Sequence, residues 1–207
     1  MRVCLPICLV VLLMSTGCAY QVPANIKPVY SSYTSYGEKV PLKAAVFVDA
    51  SKAKEDVRVT GLACSAHKFP LDAEQDIKIA VAKTLDNVFE TTRLVDQPIT
   101  IHQFDREGVN AMVIVKLEDM DVDLAVIPNF FTADMKSLSE VTFGVTLDTK
   151  QGRKLGFMVS GTGKASAPAG SACEGGAIAI GDSLQESLSD ALAEISQNIS
   201  NSSRLRR

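Results

Sequence analysis

VTFGVTLDTKQGRKLGFMVSGTG, residues 141–163, decides the fold. Val141, Phe143, Val145 and Leu147 alternate with Thr142, Gly144, Thr146 and Asp148. After Lys150-Gln151-Gly152, the residues Leu155, Phe157 and Val159 alternate again. Successive side chains of a strand point to opposite faces, so this pattern predicts an antiparallel hairpin with one buried face. Gly152 can take the positive φ of a tight turn. A half-buried hairpin needs a second layer to cover its apolar side, and the flanking sequence supplies candidates.

Downstream, Leu184, Leu188, Leu192, Ile195 and Ile199 recur at helical spacing, and Ser183 with Glu186 matches a capping box. Between them and the hairpin, ASAPAGSACEGG (165–176) reads as a small-residue loop. Upstream, FPLDAEQDIKIAVAKTLDNVFETTR (69–93) carries Ile77, Val81, Leu85 and Val88 on one stripe, widened by Ala80 and Phe89. Asp72 is the expected cap with Gln75 three residues on, which predicts an amphipathic helix of about five turns. LKAAVFVDA (42–50) reads as a strand, VRVTGLAC (57–64) as a second, and PITIHQF (98–104) as a short third.

In AMVIVKLEDMDVDLAVI (111–127) the apolar phase runs Val113, Val115, Leu117 and then shifts to Met120, Val122, Leu124. A strand cannot change face without an irregularity, so a bulge is expected near Glu118–Asp119. The expected order is β-β-α-β-β-β-β-α. The expected fold is α+β, a two-layer sandwich with a mainly antiparallel sheet and two helices packed on one face.

The N-terminus reads as an export leader. Arg2 is followed by the apolar run Cys4–Met14, about half of the roughly 20 residues a spanning helix needs. Small residues then lead into Cys18. The stretch STGC matches a bacterial lipobox at Thr16 and Gly17, although Ser15 stands where Leu is more usual. This makes Cys18 the expected site of acylation; the competing reading is ordinary cleavage after Ala19. The expected organisation is a leader over 1–17, a lipidated N-terminus and tether over 18–40, and one α+β domain over 41–207. The tether holds all four tyrosines, Tyr20, Tyr30, Tyr33 and Tyr36. Tyrosine suits a lipid headgroup region or a partner groove, and an extended segment laid along its own domain accounts for them equally.

The chain has 207 residues and a net charge of −3, which argues against nucleic-acid binding. Five cysteines are present. Cys4 and Cys8 leave with the leader and Cys18 is assigned to lipid, leaving Cys64 and Cys173 as a candidate disulfide pair in an oxidising compartment.

No catalytic arrangement is legible. Asp119, Asp121 and Asp123 match the start of a calcium loop, but Leu124 and Phe130 stand where Gly and Glu are needed. The three are expected on a solvated strand face. GTGKAS (161–166) lacks the residues of a phosphate loop, so its glycines are expected to permit close packing or strand irregularity. Cys64, His67, His102 and Cys173 match no zinc-finger spacing, and no metal or cofactor is expected. In LAVIPNFFTADM (124–135), Pro128, Phe130 and Phe131 sit in an expected loop. The two rings either form an exposed patch for lipid or protein or fold over the sheet edge.

The lipobox-like start, NAMVIVKLEDMDVD (110–123), the hairpin and SLQESLSDALAEISQNIS (183–200) together resemble the YajG-like family of outer-membrane lipoproteins, over residues 18 to about 202. CSAHKFP (64–70) and Cys173 depart from that pattern. The resemblance implies attachment by acyl chains, with Ala19 after the cysteine directing the protein to the outer membrane. The resulting expectation is a non-enzymatic accessory component of an envelope complex, held by the membrane and docking an envelope protein partner. The alternative is a carrier of lipid or glycan in a cavity between sheet and helices.

Overall fold

The computed structural model describes residues 19–23, 37–61 and 63–206. The leader, Cys18, Tyr30, Tyr33 and Tyr36 lie outside the described residues. In chain order the elements are β1 (Val40–Asp49), β2 (Lys54–Thr60), β3 (Lys68–Asp72), α1 (Glu74–Val88), β4 (Phe89–Leu94), α2 (Phe104–Glu107), β5 (Ala111–Pro128), β6 (Ala133–Thr149), β7 (Gly152–Pro168) and α3 (Gly175–Ser200).

Strand β5 is the axis of a seven-stranded sheet. Along one edge it pairs antiparallel with β6 from Ala111↔Thr149 to Pro128↔Ala133, and β6 pairs in turn with β7. Along its other edge it receives two strands in succession, both parallel: β1 beside Ala111–Lys116, then the end of β2 beside Leu124 and Ala125. β4 adds to β1 in parallel and β3 adds to β2 antiparallel. The register shifts between Leu117 and Asp119. This is the bulge that the change of apolar phase requires: Leu117 before it and Val122 and Leu124 after it are all buried.

The expected mainly antiparallel sandwich with two helices is therefore corrected. The protein is mostly β, its sheet is mixed, and the described residues hold three α-helices. Alternation fixes which residues share a face, but strand direction depends on which distant segments pair, and the three parallel pairings join segments far apart in the chain. PITIHQF is not a strand. Thr100 and Gln103 form a reciprocal capping box that starts a 3-10 turn over Ile101–Gln103, and α2 follows. Phe104 is the buried anchor there, packing with Ala45 and Met112 on the sheet face opposite α1 and α3.

Helix α1 buries Ile77, Ala80, Val81, Leu85 and Val88, the predicted stripe. It ends at Val88, and Phe89 enters β4 instead of a further turn. Asp72 lies at the end of β3 and accepts a hydrogen bond from the Glu74 N–H at 3.3 Å, while Ala73 occupies the cap position.

Helix α3 starts at Gly175, well before the expected Ser183. Ser183 is instead buried inside the helix. Its hydroxyl donates to Ser137 Oγ at 2.8 Å, and Ser139 Oγ donates to Ser187 Oγ at 3.1 Å. Paired hydroxyls satisfy one another, so four serines can line a dry interface. The approach is close because β7 offers glycine there: a Cβ on Gly161 would lie 2.0 Å from the Ser187 carbonyl oxygen. Leu184, Leu188, Leu192, Ile195 and Ile199 fill the rest of the layer, each at most 1 % exposed. The cavity that a carrier needs between sheet and helices is thus occupied by packed side chains.

Candidate functional site

Two features of the fold place the groups singled out in the sequence. The first is at the N-terminus. Residues 19–23 are docked on the domain. Ala19 bridges Lys68 in parallel, the Tyr20 N–H donates to the Lys68 carbonyl at 3.0 Å and the Val22 N–H donates to the Pro70 carbonyl at 3.3 Å. Val22 is 3 % exposed, and the Tyr20 ring stacks on Phe69 at 5.9 Å. The segment also abuts α3, where a Cβ on Gly181 would meet the Pro23 carbonyl at 2.7 Å. The extended-segment reading of the tether therefore holds for these residues.

Beside that strand, Cys64 and Cys173 are bonded to each other, with Cα atoms 6.0 Å apart. The bridge joins the β2–β3 loop to the β7–α3 loop. Both thiols are consumed, which removes them from any zinc site with His67 and His102 and from service as a nucleophile.

The second feature is the sheet face turned away from α1 and α3. Where α2 leaves it open, four strands form a groove of about 720 Å³. Register builds it in rows: Asp123, Leu138 and Lys164 lie side by side across β5, β6 and β7, followed by Ala125, Lys136 and Ser166. Thr60 and Ile127 complete the wall. Leu138 and Ile127 are 42 % and 38 % exposed, so the floor is apolar and open, with two lysines and one aspartate at its rim. Such a surface offers apolar area to bury and charges to pair. Asp119, Asp121 and Asp123 lie exposed along the same face of β5, the expected solvated arrangement. Nearby on β2, the Glu55 carboxyl pKa is pushed up, first by burial and then by repulsion from Asp121, Asp123 and Asp119. Its Oε2 is buried without a hydrogen-bond partner.

Past Pro128, the β5–β6 turn carries Phe130 and Phe131, 91 % and 90 % exposed. Of the two readings of this loop, rings folded over the sheet edge or an exposed patch, the exposed patch is what forms. Their centroids are 4.4 Å apart, edge to face. Asn129 fixes the turn, its N–H donating to the Thr132 carbonyl at 2.8 Å and its Nδ2 to Asp134 at 2.9 Å. The groove went unrecognised in the sequence because its residues come from four separate strands; the alternation of Lys136 and Leu138 with buried Met135 and Ser137 was the available signal.

Among the described residues, no helix is long and apolar enough to cross a membrane. No protein-family model matches the chain, and no curated protein matches its sequence. The fold is similar in layout to several solved bacterial structures at low identity. A DUF330-family protein from Xanthomonas campestris is 9 % identical, with 86 % of this chain and 92 % of that chain covered and a TM-score of 0.48. A minor lipoprotein from Acinetobacter baumannii is 13 % identical over 79 % of this chain and 93 % of that one, with a TM-score of 0.40. A neuraminyllactose-binding hemagglutinin homolog from Helicobacter pylori is 10 % identical over 83 % and 90 %, with a TM-score of 0.42.

Proposed function

We propose that this protein is a lipid-anchored, non-enzymatic component of the bacterial outer-membrane envelope, acylated at Cys18 and binding an envelope protein over the open face of its sheet. The observation that carries the reading is the docked strand 19–23. It holds the residue following Cys18 on the rim of the domain, so an acyl anchor there fixes the domain near the bilayer instead of letting it swing on a long tether. Several acyl chains on one residue give stable anchoring where one is marginal. Confinement near the membrane raises the effective concentration of any partner embedded in it. The groove floored by Leu138 and Ile127, with Lys136, Lys164 and Asp123 at its rim, is the docking surface.

Two experiments test this reading. Membrane fractionation of Cys18→Ser is expected to release the protein from the membrane; unchanged retention contradicts the anchor. A photo-crosslinker at Leu138 in the cell is expected to trap one dominant envelope protein that a crosslinker at Gln151 does not trap. Equal, diffuse capture at both positions contradicts the docking surface.

A further inference from the structure

We propose that the Phe130–Phe131 tip is a second membrane contact, inserting into the interface of the same bilayer that holds the acyl chains of Cys18. This rests on the anchor reading above and adds an orientation to it.

Ala19 pairs with Lys68, Lys68 with Arg58, and the next residue, Val59, with Leu124. The strand 19–23 runs parallel to β3, away from the end of the sheet where Thr60 and Ala125 lie. The chain therefore enters Ala19 from the side of that end. The same end carries Pro128↔Ala133, Asp134↔Pro168 and the Cys64–Cys173 bridge. The Lys150–Gln151 turn lies at the opposite end. From the row of Ala19 to Pro128 is about five residues of strand, about 17 Å, and across the sheet are three strand spacings, about 14 Å. A domain inclined by about 50° thus sets the exit toward Cys18 and the aromatic tip on one plane.

The chemistry of the tip suits a bilayer. Residues 126–133, VIPNFFTA, contain no charged side chain, so insertion dehydrates no ion. Two rings at about nine-tenths exposure offer their apolar area to whatever the tip meets, and the Asn129 hydrogen bonds hold the turn in shape before contact. With the acyl chains in place the contact is intramolecular in effect, so a modest affinity suffices.

The protein contains no tryptophan, so Phe131→Trp and Gln151→Trp each introduce a single reporter at an exposed turn. The full chain is purified from membranes and reconstituted in vesicles whose acyl chains carry bromine, with flotation reporting anchoring separately. The expected result is emission from Phe131→Trp shifted to the blue and quenched about twofold, since interfacial side chains sit about 5–10 Å into the headgroup–acyl boundary, while Gln151→Trp is unaffected. Floating protein with equal, unquenched emission from both reporters overturns the tip contact and leaves the anchor standing. Crosslinking of the tip to a protein, without quenching, overturns it in favour of a protein partner. Protein that fails to float overturns the anchor and the inference together.

Discussion

A Cβ added to Gly163 would stand 1.9 Å from the carbonyl oxygen of Ser183, so β7 and α3 meet backbone to backbone. The close approach explains why glycine recurs on that face of β7 and why the facing helix carries serine. Alanine at Gly163 or Gly161 must push helix and strand apart. Strand entropy returns about 0.5–1 kcal/mol, but overpacking of this kind costs about 1–3 kcal/mol or more. Either substitution is expected to lower the urea midpoint; an unchanged midpoint would show that the layers are not in this contact.

Ser183 and Ser137 form a second test of the same interface. Ser183→Ala removes the donor to a buried hydroxyl and is expected to cost about 1–3 kcal/mol. The double variant Ser137→Ala/Ser183→Ala removes both partners and should cost less than the sum of the singles, measured as a double-mutant cycle. Strict additivity would mean that the two hydroxyls do not interact.

The Cys64–Cys173 bridge spans a sequence separation of 109 residues. In the chain-entropy account, closing a loop of that size is worth about 4–5 kcal/mol. Reductant, or replacement of both cysteines by serine, is expected to lower the unfolding free energy by up to that amount. Complete thiol labelling of the native protein without reductant would contradict the bridge.

Glu55 gives a pH dependence of defined sign. Burial, and then the neighbouring aspartates, raise its carboxyl pKa in the folded state. The folded protein therefore holds this proton to higher pH than the unfolded chain. Its ionisation adds no penalty below the unfolded-state pKa and costs stability as pH rises through the folded-state value. Glu55→Gln is expected to raise the melting temperature at pH 7, with the gain disappearing in acid. A gain that persists undiminished in acid would assign the effect to packing instead.

How much was legible follows from the range of each signal. Alternation over residues 141–159 and the phase change at Leu117–Met120 are local, and β5, the bulge and the β6–β7 hairpin followed from them. The apolar stripes of α1 and α3 were equally local. The two helix starts that differ both lie where a good capping residue is used otherwise: Asp72 ends β3, and Ser183 serves a buried hydrogen bond. β3 itself has five residues including Pro70, too short for a pattern. β4 leaves α1 without a breaking residue, and only Thr91 and Thr92 hinted at extended chain. The parallel pairings and the groove join residues from distant segments, so no local pattern could show them. The pair Cys64 and Cys173 emerged from counting, while their juxtaposition needed the fold.

The central claim is that Cys18 carries the anchor at the end of the domain bearing Phe130 and Phe131. The most direct measurement is the mass of the N-terminal peptide of the mature protein taken from membranes. The account predicts a chain beginning at Cys18 and carrying acyl groups. A chain beginning at Tyr20 without lipid, the product of cleavage after Ala19, would contradict it.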